Sequence, residues 1–242
     1  VIDVDGIDHA RSFLVRELAR ALPDRFERAY LAQRRTGPYA PVAAQVAKRR
    51  LANVCLRYLC ERGDAEGRAY AVGQFEAADN MTDSIGALAA LTDTASAERD
   101  DLYARFEARW RDEPLVLDKW FALEATSRRP GTLQRVRSLL AHPGFNARNP
   151  NRVRALVGAF ALSNFQRFHA ADGSGYAFVA DQVLALDAMN PQLAARIATA
   201  FELWKRLPEA RRHRVGIELK RIAAAPALSP DVAEIVTRSL AD

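Results

Sequence analysis

At 242 residues, 49% of them hydrophobic, the chain can bury a sizeable core without disulfide or metal staples. Its 35 basic and 30 acidic residues leave a net charge of only +5, spread without long runs of one sign, which excludes neither partner class but argues against nucleic acid or an anionic membrane. No window of about 20 uninterrupted apolar residues exists, and the opening "VIDVDGIDHA" lacks the order of a signal peptide, so the chain is expected to be soluble.

Taken in chain order, almost every segment has the i, i+3, i+4, i+7 spacing of an amphipathic helix. The first carries Ala10, Phe13, Leu14, Leu18, Ala21 and Leu22 on one face, predicted to turn inward. Helices are then predicted over 23–34, 41–61, 65–77, 82–91, 96–110 and 114–127, and after these over 132–140, 150–161, 176–188, 191–205, 208–223 and 230–240. Pro23, Pro41, Pro114, Pro150, Pro191, Pro208 and Pro230 stand where helices would begin, a position at which the missing N–H costs nothing. No strand pattern interrupts this series, and no composition shift marks a domain boundary. Short connections predict antiparallel neighbours, hence an all-α fold of stacked helix pairs in a curved, superhelical armadillo- or HEAT-like array. Residues 1–242 read as one such domain. The absence of an initiator Met suggests a piece of a longer chain.

Chemistry-bearing residues are sparse. Cys55 and Cys60 point to different sides of one predicted helix, so they read as small core residues in a reducing compartment. His9, His142, His169 and His213 are isolated, with no second histidine at metal-ligand spacing. There is no phosphate-binding glycine loop and no Gly-x-Ser-x-Gly elbow, and Ser174 in "DGSG" reads as a turn residue. The tryptophans of "DKWF" and "FELWKR" read as core rather than as stacking platforms, and Arg211-Arg212-His213-Arg214 as the wet face of a helix.

Two stretches, "NPNRVRALVGAF" from Asn149 and "NPQLAARIA" from Asn190, begin alike, with an Asn cap followed by Pro. Arg152 and Arg154 then fall near a helix N-terminus, where the dipole already presents positive charge, and Gln192 and Arg196 come after the second start. Two readings stay open. Asn-Pro is an efficient helix start with surface arginines nearby, or the two starts converge on a carboxylate.

The runs "ADNMTD" (78–83), "LDKWF" (117–121), "NPNRVRALVGAFA" (149–161), "FHAADGSGY" (168–176) and "MNPQLAAR" (189–196) resemble the C-terminal region of bacterial aminopeptidase N, in the same order and spacing. Phe165, after Ser163-Asn164, departs from the family, which often has proline there. The resemblance implies a parent zinc metallo-aminopeptidase that removes N-terminal residues from peptides in the cytoplasm. Its His-Glu-x-x-His zinc motif and Gly-x-Met-Glu-Asn loop do not occur in this sequence. What remains resembles the all-helical C-terminal domain alone, expected to lack zinc, cofactor and catalytic residues and to be inactive by itself. By the same resemblance this domain caps the active site, with the catalytic domain of the same polypeptide and peptide substrates as its partners. Arg154, Gln192 and Arg196 match cavity-lining positions facing the C-terminal side of the bound peptide. The rival expectation is a free-standing helical-repeat scaffold for protein partners.

Overall fold

A computed structural model describes residues 1–34 and 38–241. Their regular structure is entirely helical, and they divide into two compact units, His9–Arg111 and Asp112–Asp242 together with Val1–Asp8. No break in composition marks these limits.

The smaller unit holds most of α1 (Val4–Ala21), then α2 (Pro23–Gln33), α3 (Ala43–Glu61), α4 (Ala65–Ala77), α5 (Met81–Leu91) and α6 (Ala97–Trp110). The middle of the unit is α3, packed on α2, α4 and α5. It turns Ala52, Cys55, Leu56, Leu59 and Cys60 inward at helical spacing, and both thiols are free and buried. Burial pushes the Cys60 thiol up to about 12, so it stays protonated and inert. Helix α4 approaches the α3 backbone at Gly67, where a Cβ would collide with the Leu59 carbonyl. The "ADNMTD" run is the start of α5. Asn80 Oδ1 accepts from the Asp83 N–H at 3.0 Å while Asp83 Oδ2 accepts from Asn80 Nδ2 at 2.7 Å, a reciprocal cap.

The expected inner face of α1 is corrected. Phe13 and Leu14 are 56% and 58% exposed, and Ala10, Ala21 and Leu22 are exposed as well. The inward flank instead centres on Ala19, with Ser12, Val15 and Leu18 half-buried. Periodicity finds an apolar stripe but not the neighbour that covers it.

The larger unit contains α7 (Pro114–Thr126), α8 (Thr132–Leu139) and α9 (Pro150–Val153), which continues through a π-helical turn (Arg154–Gly158) into α10 (Ala159–Ser163). After these come α11 (Phe165–Phe168), α12 (Ser174–Asp187), α13 (Pro191–Ala198), α14 (Glu209–Ala223) and α15 (Pro230–Leu240). On α7, Leu117, Trp120, Phe121, Glu124 and Ala125 are buried, so the Trp of "DKWF" is core. Asn164 is 2% exposed and joins three segments: its Nδ2 donates to the Ala125 and Ser127 carbonyls at 2.9 and 2.7 Å, and its Oδ1 accepts from the Arg167 N–H. Helix α12 starts at Ser174, two residues before its predicted start, because Gly173 takes the left-handed φ of 77° that turns the chain into it. In turn, α12 packs on α13 and α14, and α15 packs on α13 and α14.

The helix predicted to run from Pro191 to Lys205 stops at Ala198 and gives way to 3₁₀ turns at Thr199–Phe201 and Trp204–Arg206. Thr199 Oγ1 donates to the Arg196 carbonyl at 2.7 Å, competing with the backbone ladder where the helix ends.

Candidate functional site

Both Asn-Pro starts are true caps. Asn149 Oδ1 accepts from the Asn151 and Arg152 N–H groups at 3.0 and 3.4 Å, and Asn190 Oδ1 accepts from the Leu193 N–H at 3.0 Å. Beyond the caps the two helices differ. Arg152 turns inward and is 4% exposed, with Nη2 donating to the Pro114 carbonyl at 3.3 Å and the guanidinium 5.0 Å above the Phe121 ring. Its Nη1 lies 3.2 Å from Asp118 Oδ1, at an angle that forms no hydrogen bond, so the pair attracts as charges while both atoms stay without a hydrogen bond. Burial raises the Asp118 pKa and lowers that of Arg152, each opposed by the partner's charge. Of the residues at the first start, Arg152 therefore already has its carboxylate inside the fold.

Arg154 is exposed, at the first residue of the π-helical turn, and among the described residues its Nη1 reaches only Asn151 Oδ1, at 3.3 Å. A π turn inside an α-helix re-aims side chains and is often found at functional positions. Gln192 and Arg196 are exposed on α13, and neither side chain makes a hydrogen bond or ion pair among the described residues. Since α13 is 8 residues long, Arg196 falls in its last turn, on the favourable side of the dipole. The reversed electrostatics of the first start therefore do not recur at the second. Of these residues, only Arg154 keeps a cationic side chain near a helix N-terminus without a carboxylate.

A second cluster in the larger unit centres on "FHAADGSGY". His169, 6% exposed, shares a 3.0 Å hydrogen bond between Nδ1 and the Tyr176 hydroxyl, and meets Phe165, Phe168 and Tyr176 edge-on. Its carbonyl accepts from Arg211 Nε at 2.8 Å, and Arg211 Nη2 donates to both Asp5 oxygens at 2.8 and 2.9 Å. Burial, with the Arg211 charge adding to it, holds His169 down at about 4, and burial pushes Tyr176 up to about 12. Both are neutral near pH 7, which suits a structural hub rather than proton transfer. Arg211 is thus buried, contrary to the wet face expected of Arg211-Arg212-His213-Arg214, whose other members are exposed. His169 caps the end of α11 and Tyr176 lies in the first turn of α12, so the turn at Gly173 brings them together and no helical spacing in the sequence signals the contact.

Among the described residues, no three His, Cys, Asp or Glu side chains gather into a possible metal site, and no helix is long and apolar enough to cross a membrane. The residues present do not fit a zinc centre.

Helices packed on their neighbours in sequence order within each unit define a helical-repeat module. A family model described as "Domain of unknown function (DUF3458_C) ARM repeats" matches residues 1–241, and the chain belongs to that family. It is 39% identical over 238 residues to Aminopeptidase N of Caulobacter vibrioides, and 38% identical to Aminopeptidase N of Haemophilus influenzae and of Escherichia coli, over 239 and 241 residues. These matches cover 98%, 99% and 100% of the chain but 28%, 27% and 28% of the relatives, in their C-terminal part. The chain thus spans less than a third of their length. The crystal structure of Legionella pneumophila aminopeptidase A in complex with aspartic acid superimposes with a TM-score of 0.86 at 30% identity, covering 96% of this chain and 28% of that one.

Proposed function

We propose that residues 1–242 act as the C-terminal helical domain of a cytoplasmic zinc aminopeptidase that removes N-terminal residues from peptides. The domain caps the active site, encloses the substrate cavity and limits entry to short peptides. It supplies no group to the chemical step, and zinc and its activated water belong to the rest of the larger enzyme. The observation that carries this reading is the match of the whole chain to the C-terminal part of bacterial aminopeptidase N.

Arg154, Gln192 and Arg196 line the cavity and face the C-terminal side of the bound peptide. Their exposure, and the lack of a carboxylate partner for Arg154 and Arg196 among the described residues, support this role. A guanidinium meets a carboxylate through two parallel N–H donors, whereas a neutral amide end offers one oxygen without charge. In the intact enzyme, Arg196→Ala is expected to raise KM for tripeptides with a free carboxylate by about tenfold, the loss of one charge-assisted hydrogen bond. The corresponding tripeptide amides change much less, and kcat is retained for both. Equal losses on the two substrate series would refute the anion role of Arg196.

A further inference from the structure

Within the smaller unit, a cleft of about 80 Å³ opens between the end of α2, the middle of α3, the end of α4 and the first turn of α5. That is room for a few waters or one very small molecule, far below the roughly 300 Å³ at which sites for larger ligands begin. Its charges are unbalanced in an informative way. Arg49 is 5% exposed, yet among the described residues its guanidinium meets only neutral oxygens, the Ala40 carbonyl at 3.4 and 3.5 Å and Gln45 Oε1 at 3.1 Å, beside the Tyr39 ring. Arg34 also lines the cleft and has no carboxylate partner among the described residues. A buried guanidinium without a counter-ion carries a desolvation cost that an anion in the cleft would offset.

A simple anion is not the best fit, because Asp83 lines the same cleft. Its Oδ2 takes the Asn80 amide at 2.7 Å, and no basic side chain pairs with it among the described residues. Burial raises the Tyr30 pKa, with the Arg34 charge opposing and the Asp83 charge adding to it, and all three residues line the same cleft. The remaining wall includes the methyl groups of Ala52, Ala77 and Ala78. A bare carboxylate meets Asp83 as a like charge, and a bare cation meets two arginines. A molecule that carries a carboxylate and an ammonium on one carbon satisfies both.

We propose that this cleft binds a small free α-amino acid, glycine or alanine in size, with its carboxylate on Arg34 and Arg49 and its ammonium on Asp83. Free amino acids are what an aminopeptidase releases, so the cleft would sense product. That last step rests on the proposed function, whereas the binding does not.

The test is calorimetric titration of the 242-residue chain with L-alanine, sodium acetate and methylammonium chloride at matched ionic strength, with no hydrolysis in the readout. Saturable binding of alanine is expected, with acetate and methylammonium each weaker by about tenfold or more, one charge-assisted contact being lost in each case. Arg34→Gln, a shortening at an exposed residue, and Asp83→Asn, a shape-conserving change at a half-buried one, should weaken alanine by a similar factor. Acetate binding as tightly as alanine would overturn the zwitterion in favour of a plain anion site. No saturable heat with alanine at millimolar concentrations, or binding that both variants leave unchanged, would overturn the site itself. Failure of the lid reading leaves alanine binding in place, and absence of binding leaves the lid reading in place, so the two are told apart.

Discussion

Acidification should weaken this fold through one histidine. His169 titrates at about 4 in the folded chain against 6.5 for a free side chain, so between these values the unfolded chain binds the extra proton. The contribution is complete above pH 6.5 and is lost as the pH falls through 4. At about 1.4 kcal/mol for each tenfold change in proton affinity, the loss amounts to about 3 kcal/mol, a large part of the net stability of a domain. Burial among Phe165, Phe168 and Tyr176 is the main cause and the Arg211 charge the second. Carboxylates with lowered pKa, such as Asp64 and Asp172, also lose stability in acid, so the histidine must be isolated by difference. The control is His169→Asn, whose amide oxygen can still accept from the Tyr176 hydroxyl but does not titrate. Urea unfolding of both chains from pH 8 to pH 4 should give free energies whose difference is flat above 6.5 and shifts by about 3 kcal/mol towards pH 4, the histidine chain losing more. Parallel curves would show that His169 is not held neutral by its surroundings.

Other substitutions probe other joints. Gly67→Ala places a methyl group against the Leu59 carbonyl and should cost about 2 kcal/mol or more in urea unfolding, whereas Gly73→Ala, with open space around it, should be neutral or stabilising. Asn164→Ala leaves the Ala125 and Ser127 carbonyls without their donor, with an expected loss of about 3 kcal/mol and a lower melting temperature. Arg152→Ala leaves Asp118 half-buried and alone, a loss of about 3 kcal/mol, while the double change Arg152→Met with Asp118→Leu should recover most of it. If the double variant is no more stable than the single one, the pair contributes more than its desolvation cost.

Local signals in the sequence located most helices well. The predicted bounds of the 65–77 and 230–240 helices coincide with α4 and α15, because Asp64 and Ser229 supply side-chain caps at their starts. What was not legible depends on partners far apart in the chain. Asp118, which meets Arg152, lies on a different helix, and Asp5, which meets Arg211, lies near the other end of the sequence. Without those partners Arg152 reads as a surface charge waiting for a ligand and Arg211 as part of a solvated face. The turn inward of Ala19 rather than Phe13 on α1 was hidden for the same reason, tertiary context deciding between two locally acceptable outcomes, whereas α13 stops at Ala198 beside a local bond, Thr199 Oγ1 to the Arg196 carbonyl, that apolar periodicity does not register. Sequence pattern supplied the Asn-Pro caps, while the cavity roles proposed for Arg154, Gln192 and Arg196 come from family resemblance alone, since exposed side chains without a charged partner inside the fold carry no local signature of what they bind.

The lid reading is tested most directly by comparing the intact aminopeptidase with a version lacking the segment equivalent to residues 1–242, both shown to be folded and zinc-loaded. The quantity to measure is kcat/KM for an alanyl tripeptide relative to that for a long peptide with the same N-terminus. The account predicts that removal collapses the preference for the short peptide, and that adding the separately purified chain, inactive alone, restores it. An unchanged preference in the shortened enzyme would contradict the claim that this chain encloses the substrate.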